Sequence, residues 1–281
     1  MTRRRRLAGL TLAEVLVAIS IGVLLTLSVA TLHARILRLA ADTTRVADAQ
    51  DTLRIALALL EYELAHAGYW GLVAEAAQLE GHTGSAAPLA VGVAGDCGSG
   101  WTLDLERPLK AWSSGWPLAC APFGGVAPAS GVLVLRRAET RTSVPEARRL
   151  QVQADPWSGR VIAGGEAADP GAETRNLVAR AYYISPRSTG DAARPSLRRK
   201  TLQRGPRLID EEVLPGIAAM EILLGIDDDP TGTPGHGLPD RFLAPESAIA
   251  PVVAVRLSLR SDGPHALSMT RTVALRNGPA P

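Results

Sequence analysis

Cysteine is scarce in this chain: two residues, Cys97 and Cys120, among 281. No histidine or cysteine sits beside either at C-x-x-C-like spacing, so a zinc-finger type of cluster is not encoded. Proline is absent from Leu10 to His66, and Gly22 is the only glycine between Leu10 and Ala67; nothing in that stretch interrupts a helix. Chemistry-bearing motifs are missing as well. There is no G-x-S-x-G, no Walker A loop, no H-E-x-x-H and no dinucleotide fingerprint. His33, His66, His82, His236 and His265 are scattered without ligand spacing and read as surface or helix-face residues. No internal repeat is visible. The formal net charge is only +2, which leaves no electrostatic footprint for nucleic acid. No enzyme, resident cofactor or nucleic-acid partner is expected from such a chain.

What the chain does have is one long apolar run. Residues Leu10 to Leu32 read LTLAEVLVAISIGVLLTLSVATL, long enough to span a bilayer as a helix. Glu14 lies near its start. An acid in hydrocarbon costs a few kcal/mol on insertion scales, so an intramembrane carboxylate is a functional signal by default. Upstream stand Arg3, Arg4, Arg5 and Arg6. Such a cluster holds an N-terminus in the cytoplasm while the rest of the chain is exported. An ordinary secretory signal peptide has a similar layout, and Ser28-Val29-Ala30 offers a small-x-small cleavage site. The acid inside the run and the length of the run oppose that reading. The arginines lack a twin-arginine continuation, and no lipobox cysteine follows.

Beyond the apolar run the helical pattern continues to about His66, giving a helix of about 55 residues, ~80 Å long. In its second half Leu39, Val46, Leu53 and Leu60 recur every seven residues, with Leu57 and Leu64 beside them. Arg38, Arg45, Asp48, Asp51, Arg54 and Glu61 take other faces. One apolar stripe of this kind packs on the chain's own globular part or, as an alternative, on a partner helix in a coiled coil. Gly68 is a C′ candidate, and Tyr69 and Trp70 are expected to bury against the start of a sheet. After Gly71 the composition shifts to glycine, proline and β-branched residues. Residues 72 to 130 read as loop-rich. Strands are expected over 131–137, 176–185 and 197–202, the last two as a hairpin, and over 251–260 and 269–275. In the fourth, Val253, Val255, Leu257 and Leu259 share one face. Buried packing is the expectation for Trp101, Trp112, Trp116 and Trp157. The fold class is α+β: a long N-terminal helix on a mainly antiparallel sheet.

Several segments carry a resemblance. The order basic leader, Gly9, apolar Leu10, Thr11 and then Glu14 resembles the class III signal of type IV prepilins. The segment Leu59 to Gly71, LLEYELAHAGYWG, resembles the one that closes the N-terminal helix in PilW-type minor pilins. Gly131 to Arg137, Glu211 to Gly225 and Thr272 to Asn277 (TVALRN) resemble three further segments of the same family. Leu10 departs from the usual phenylalanine, and Gly131 stands where the family has an acid. The resemblance covers the first 71 residues and these patches; residues 72 to 130 are unmatched.

The resemblance implies a type IV pilin-like fold with three parts: a leader over 1–9, a helix over 10–66 whose 10–32 portion lies in the membrane or fibre core, and a periplasmic β-rich domain over 67–281. It implies cleavage by a prepilin peptidase between Gly9 and Leu10 and N-methylation of Leu10. It also implies an assembly salt bridge between Glu14 and the Leu10 amine of a neighbouring subunit. Loss of the four leader arginines would take the formal charge from +2 to −2. The expected partners are other minor pilins, the major pilin and the inner membrane, with the C-terminal domain in the periplasm and the protein at the base or tip of the pilus. In an oxidising periplasm Cys97 and Cys120 are expected to form a disulfide worth roughly 3 kcal/mol; two free buried thiols are the alternative. Asp227, Asp228, Asp229 and Asp240 resemble an acidic loop of the family. They form a weak calcium candidate, against a solvated loop as the alternative, since Pro230 breaks the regular pattern. A J-class pseudopilin of type II secretion shares the signal. An exported periplasmic binding protein and a tethered adhesin are readings of another class.

Overall fold

The structure, a computed structural model, describes residues 11–277 except Thr231, Ala250 and His265. Among the described residues it has one long helix, α1 (Leu12–Ala65), followed by twelve strands. The chain divides into two compact units at Asp48/Ala49, inside this helix. In the first unit none of the described residues is buried. Leu16, Val17, Ile19, Leu24 and Leu25 all lie open, and Leu39 of the heptad pattern is 67% exposed. The stripe therefore does not pack over its whole length.

In the second unit the rest of α1 is a core element. Leu53, Ala56, Leu57, Leu60 and Leu64 are buried at the i, i+3, i+4, i+7 spacing of one helix face. The helix stops where expected. Gly68 takes φ +75°, and a Cβ there would meet the Asn277 carbonyl oxygen at 2.6 Å; only glycine fits. The Gly68 amide donates to the Arg136 carbonyl at 3.0 Å, tying the helix exit to a central strand. Trp70 is buried and Tyr69 half-buried.

The first sheet contains β1 (Leu79–Glu80), β2 (Leu109–Trp112), β3 (Val132–Ala138), β4 (Ala147–Ala154), β5 (Gly159–Gly164), β6 (Glu173–Ser185), β7 (Ser196–Gln203) and β8 (Arg207–Pro215). Its order is β1-β5-β4-β6-β3-β2, with the β7–β8 pair attached along β6. Every pairing is antiparallel except β1 with β5. The second sheet has the order β10-β9-β11-β12, all antiparallel, built from β9 (Ile217–Ile226), β10 (Arg241–Leu243), β11 (Val252–Ser261) and β12 (Ser268–Ala274). The expected β6–β7 hairpin forms. On β11, Val255, Leu257 and Leu259 are buried as expected, whereas Val253 is half-buried because the register shifts between Val252 and Ala254.

The buried α1 stripe packs in one cluster with Leu133 and Leu135 of β3, Tyr182 and Ile184 of β6, Ile222 of β9 and Leu257 of β11. The opposite face of β3 and β6, at Val134, Ala179 and Ala181, is covered by Cys97 and Trp101. That is why β3 is buried at every position, apolar from Val132 to Leu135 and then carrying Arg136 and Arg137, the pattern of a strand covered on both faces. The 72–130 segment thus forms the second cover of the sheet, although its own elements are short. Gly131 is needed for close packing: a Cβ would lie 2.9 Å from both Ile222 Cδ1 and the Trp112 carbonyl oxygen.

Candidate functional site

Glu14 sits in the first turn of α1 and accepts hydrogen bonds at Oε2 from the Thr11 amide (2.8 Å) and the Thr11 hydroxyl (2.9 Å). The Glu14 amide donates back to Thr11 Oγ1 at 3.3 Å. This is a capping box, in which two end groups satisfy each other's donors. Below it the hydroxyls are satisfied by the helix itself. Ser20, Thr26, Ser28 and Thr31 donate to the carbonyls of Leu16, Val23, Leu24 and Ser28. A helix that meets its own polar needs is what a hydrocarbon environment demands. This helix is long and apolar enough to cross a membrane, with a mean hydropathy of 2.5 in its best window. Glu14 is the only ionisable residue from Thr11 to Leu32. Arg3, Arg4, Arg5, Arg6, the Gly9/Leu10 cleavage point, the methylated residue Leu10 and its half of the assembly salt bridge lie outside the described residues.

The other end of α1 carries a buried ion cluster that sequence reasoning missed. Glu63 is 3% exposed, one residue before Leu64 on the buried stripe. Arg137 of β3 meets it with two bonds, Nη2 to Oε1 at 3.2 Å and Nε to Oε2 at 3.3 Å. Arg180 of β6 also donates to Oε1. The fork geometry of arginine suits such two-point contact. The available signal was the acid Glu63 inside the apolar LLEYELA segment, together with arginines inside largely apolar strand segments, Arg137 in β3 and Arg180 in β6. Arg136 beside them is 1% exposed. It gives its protons to the carbonyls of Trp101 and Arg107, both at 2.8 Å. Burial lowers its pKa to about 10 despite the opposing pull of Asp104 and Asp96, so it stays charged at neutral pH.

Cys97 and Cys120 are joined in a disulfide. Trp101 is buried and Trp112 and Trp116 half-buried, but Trp157 is 84% exposed. The expectation of burial fails there because Trp157 occupies a hairpin turn with no layer above it. His82 is likewise buried rather than on the surface, its Nδ1 against the Thr83 carbonyl at 3.0 Å. His265 lies outside the described residues.

The acidic loop splits. Asp227, Asp229 and Asp240 bring carboxylate oxygens within 4.8 Å of one another, while Asp228 turns to Arg241 at 3.0 Å. Asp227 accepts the amides of Gly237 (2.7 Å) and Asp229 (3.0 Å) and faces His236 Nδ1 at 3.0 Å. Asp240 accepts the Asp228 amide at 2.7 Å. The Gly237 amide, helped by the Asp229 amide and His236, holds the Asp227 carboxyl below its ordinary range. Much of the lone-pair capacity is thus spent on shaping the loop. Three carboxylates alone fall short of the six to eight oxygens calcium takes.

Compared with known protein families, with curated proteins and with solved structures, the chain matches none. The geometry therefore stands by itself: an open apolar helix headed by a carboxylate, and a globular unit into which the same helix is built.

Proposed function

We propose that this chain is a minor pilin of the PilW type, with a pilin-like fold, that acts in type IV pilus assembly and priming alongside other minor pilins and the major pilin. The observation that carries the reading is the character of α1. From Leu12 to Leu32 it buries no side chain in its own chain and carries one carboxylate, near its start; its last part is core to the globular unit. An apolar helix with no partner of its own is suited first to lipid and then to a bundle of like helices. In a bundle Glu14 needs a cation. Thr11 engages Oε2, and Oε1 has no partner among the described residues. The Leu10 amine of a neighbouring subunit would meet it there, offset its desolvation and fix axial register.

The test is the intact N-terminus of the membrane-fraction protein, read by mass spectrometry with and without a prepilin peptidase. A methylated chain beginning at Leu10 is expected. A chain beginning near Thr31 would overturn the proposal. Deletion of the chain separates the two machines that share this signal: pili are lost if it serves the pilus, and secretion is lost if it serves type II export.

A further inference from the structure

Trp157 is an exposed aromatic on an acidic tip, and one groove elsewhere on the chain is apolar with a cationic rim. Trp157 sits at the tip of the β4–β5 hairpin, closed by the Ala154–Gly159 pair. Its turn is fixed: Asp155 Oδ1 accepts the Trp157 amide at 2.7 Å and the Ser158 amide at 2.9 Å. The Asp155 amide donates to the Ser158 carbonyl at 2.9 Å, and Pro156 locks its own φ. A large aromatic is thus presented on a backbone with little freedom left to lose on docking. Its surroundings are acidic. Asp155, Glu80, Asp169 and Glu173 stand near the tip with Arg160 and Arg175; Asp169 and Glu173 pair with those arginines, which leaves Asp155 and Glu80 as the net negative charge, neither in an ion pair among the described residues.

The groove lies between β2 and the β9–β11 part of the second sheet, with a volume of 290 Å³. Pro108, Leu109, Ala111, Leu224, Val252 and Leu275 line it. That volume is just under the range of about 300–1,000 Å³ of small-molecule sites, and suits one large side chain better than a cofactor. Its rim is cationic: Arg107 and Lys110 are exposed and neither forms an ion pair among the described residues, with Glu106 the one acid beside them. The sheet order β1-β5-β4-β6-β3-β2 places the hairpin near one edge and β2 at the other, so the tip cannot fill the groove of its own chain.

We propose that Trp157 of one copy docks in the Pro108–Leu109–Leu224–Val252 groove of a second copy. The acidic surroundings of the knob face the cationic rim of the groove. Because knob and groove are different surfaces, the contact is head-to-tail and can propagate from copy to copy. Aromatic knobs seated in fitted pockets are the anchors that dominate most interfaces. The contact uses no residue before Ala49 and does not depend on the assembly reading; a different N-terminal processing would leave it intact.

The test is cross-linking of the full chain in membranes with a bifunctional maleimide, the native cysteines being bonded to each other. One tagged copy carries Ser158→Cys, which keeps Trp157, and a second, differently tagged copy carries Lys110→Cys. A dimer bearing both tags is expected, with neither variant alone giving one. Adding Trp157→Ala to the Ser158→Cys copy should cut its yield at least ten-fold. Pro251→Cys, a second rim position, should behave as Lys110→Cys does. Absence of the mixed dimer at both rim positions would overturn the proposal, as would a yield that Trp157→Ala leaves unchanged.

Discussion

At the scale of single residues, charge buried with its partners sets the largest expected effects. Glu63 is enclosed by Arg137 and Arg180. Replacing it by alanine leaves two arginines facing a cavity with no counter-charge, and breaking one side of a buried pair costs about 3–5 kcal/mol. Glu63→Ala should lower the unfolding free energy by that amount in a denaturant titration, far more than Glu61→Ala on the open face of the same turn. Asp210 gives the pH dependence. Burial pushes its carboxyl up, but Tyr183, Arg198, Lys200 and the Phe123 amide together outweigh that and bring it below its ordinary value. The Tyr183 hydroxyl donates to Oδ2 at 2.6 Å and Arg198 Nε to Oδ1 at 2.8 Å. A folded value below the unfolded one, about 3.9, means the stabilisation is complete above pH 4 and lost as pH falls through the folded value. Urea midpoints at pH 7 and pH 3 should therefore differ less in Asp210→Asn than in the native chain.

At the scale of elements, α1 tests how far periodicity can be read. Leu60 is fully buried and Leu39 is exposed, although both sit on the same seven-residue pattern. Leu60→Ala should cost about 2–5 kcal/mol and Leu39→Ala should leave the unfolding midpoint where it was. The pattern showed which face is apolar; where a second surface meets it depends on the sheet, which local sequence does not encode. The end of the helix, the turn at Gly68, the strands with alternating or continuous apolar residues and the disulfide were legible because each has a local cause. The pair β4 and β5 was not. Its inward residues include Gln151 and Gln153, buried but bonded to Asn176 and Thr174, so the polar face that marks a solvated strand is here a satisfied interior. Glu63 was hidden for the same reason: its burial depends on two arginines more than seventy residues away in sequence. Glu14 stood out as an acid in an apolar run, and its bonds with Thr11 at the helix start give it a local role as well. Glu14→Ala should leave membrane insertion unchanged and reduce surface pili, counted by electron microscopy; normal piliation would remove the carboxylate from the assembly step.

At the scale of the whole molecule, all the buried residues among those described belong to one unit. Among the described residues none before Leu53 is buried, and the three apolar clusters draw only on residues from Leu53 to Val273 and their half-buried neighbours. The first unit therefore adds no core to the second. What it adds is open apolar surface, with Leu16, Val17, Ile19, Leu24 and Leu25 all exposed. A chain starting at Ala49 should accordingly fold, keep the Cys97–Cys120 bond and melt within a few degrees of the full chain in detergent. It should also leave the membrane fraction. Calorimetry and fractionation check the two halves of this expectation separately. A truncated chain that fails to melt cooperatively would mean that residues before Ala49 support the core after all. A cooperative melt with membrane association retained would place the anchor in the globular unit. The separation bears on the proposed role in assembly, which requires a unit that keeps its fold while its anchor helix passes from lipid to a bundle of neighbours.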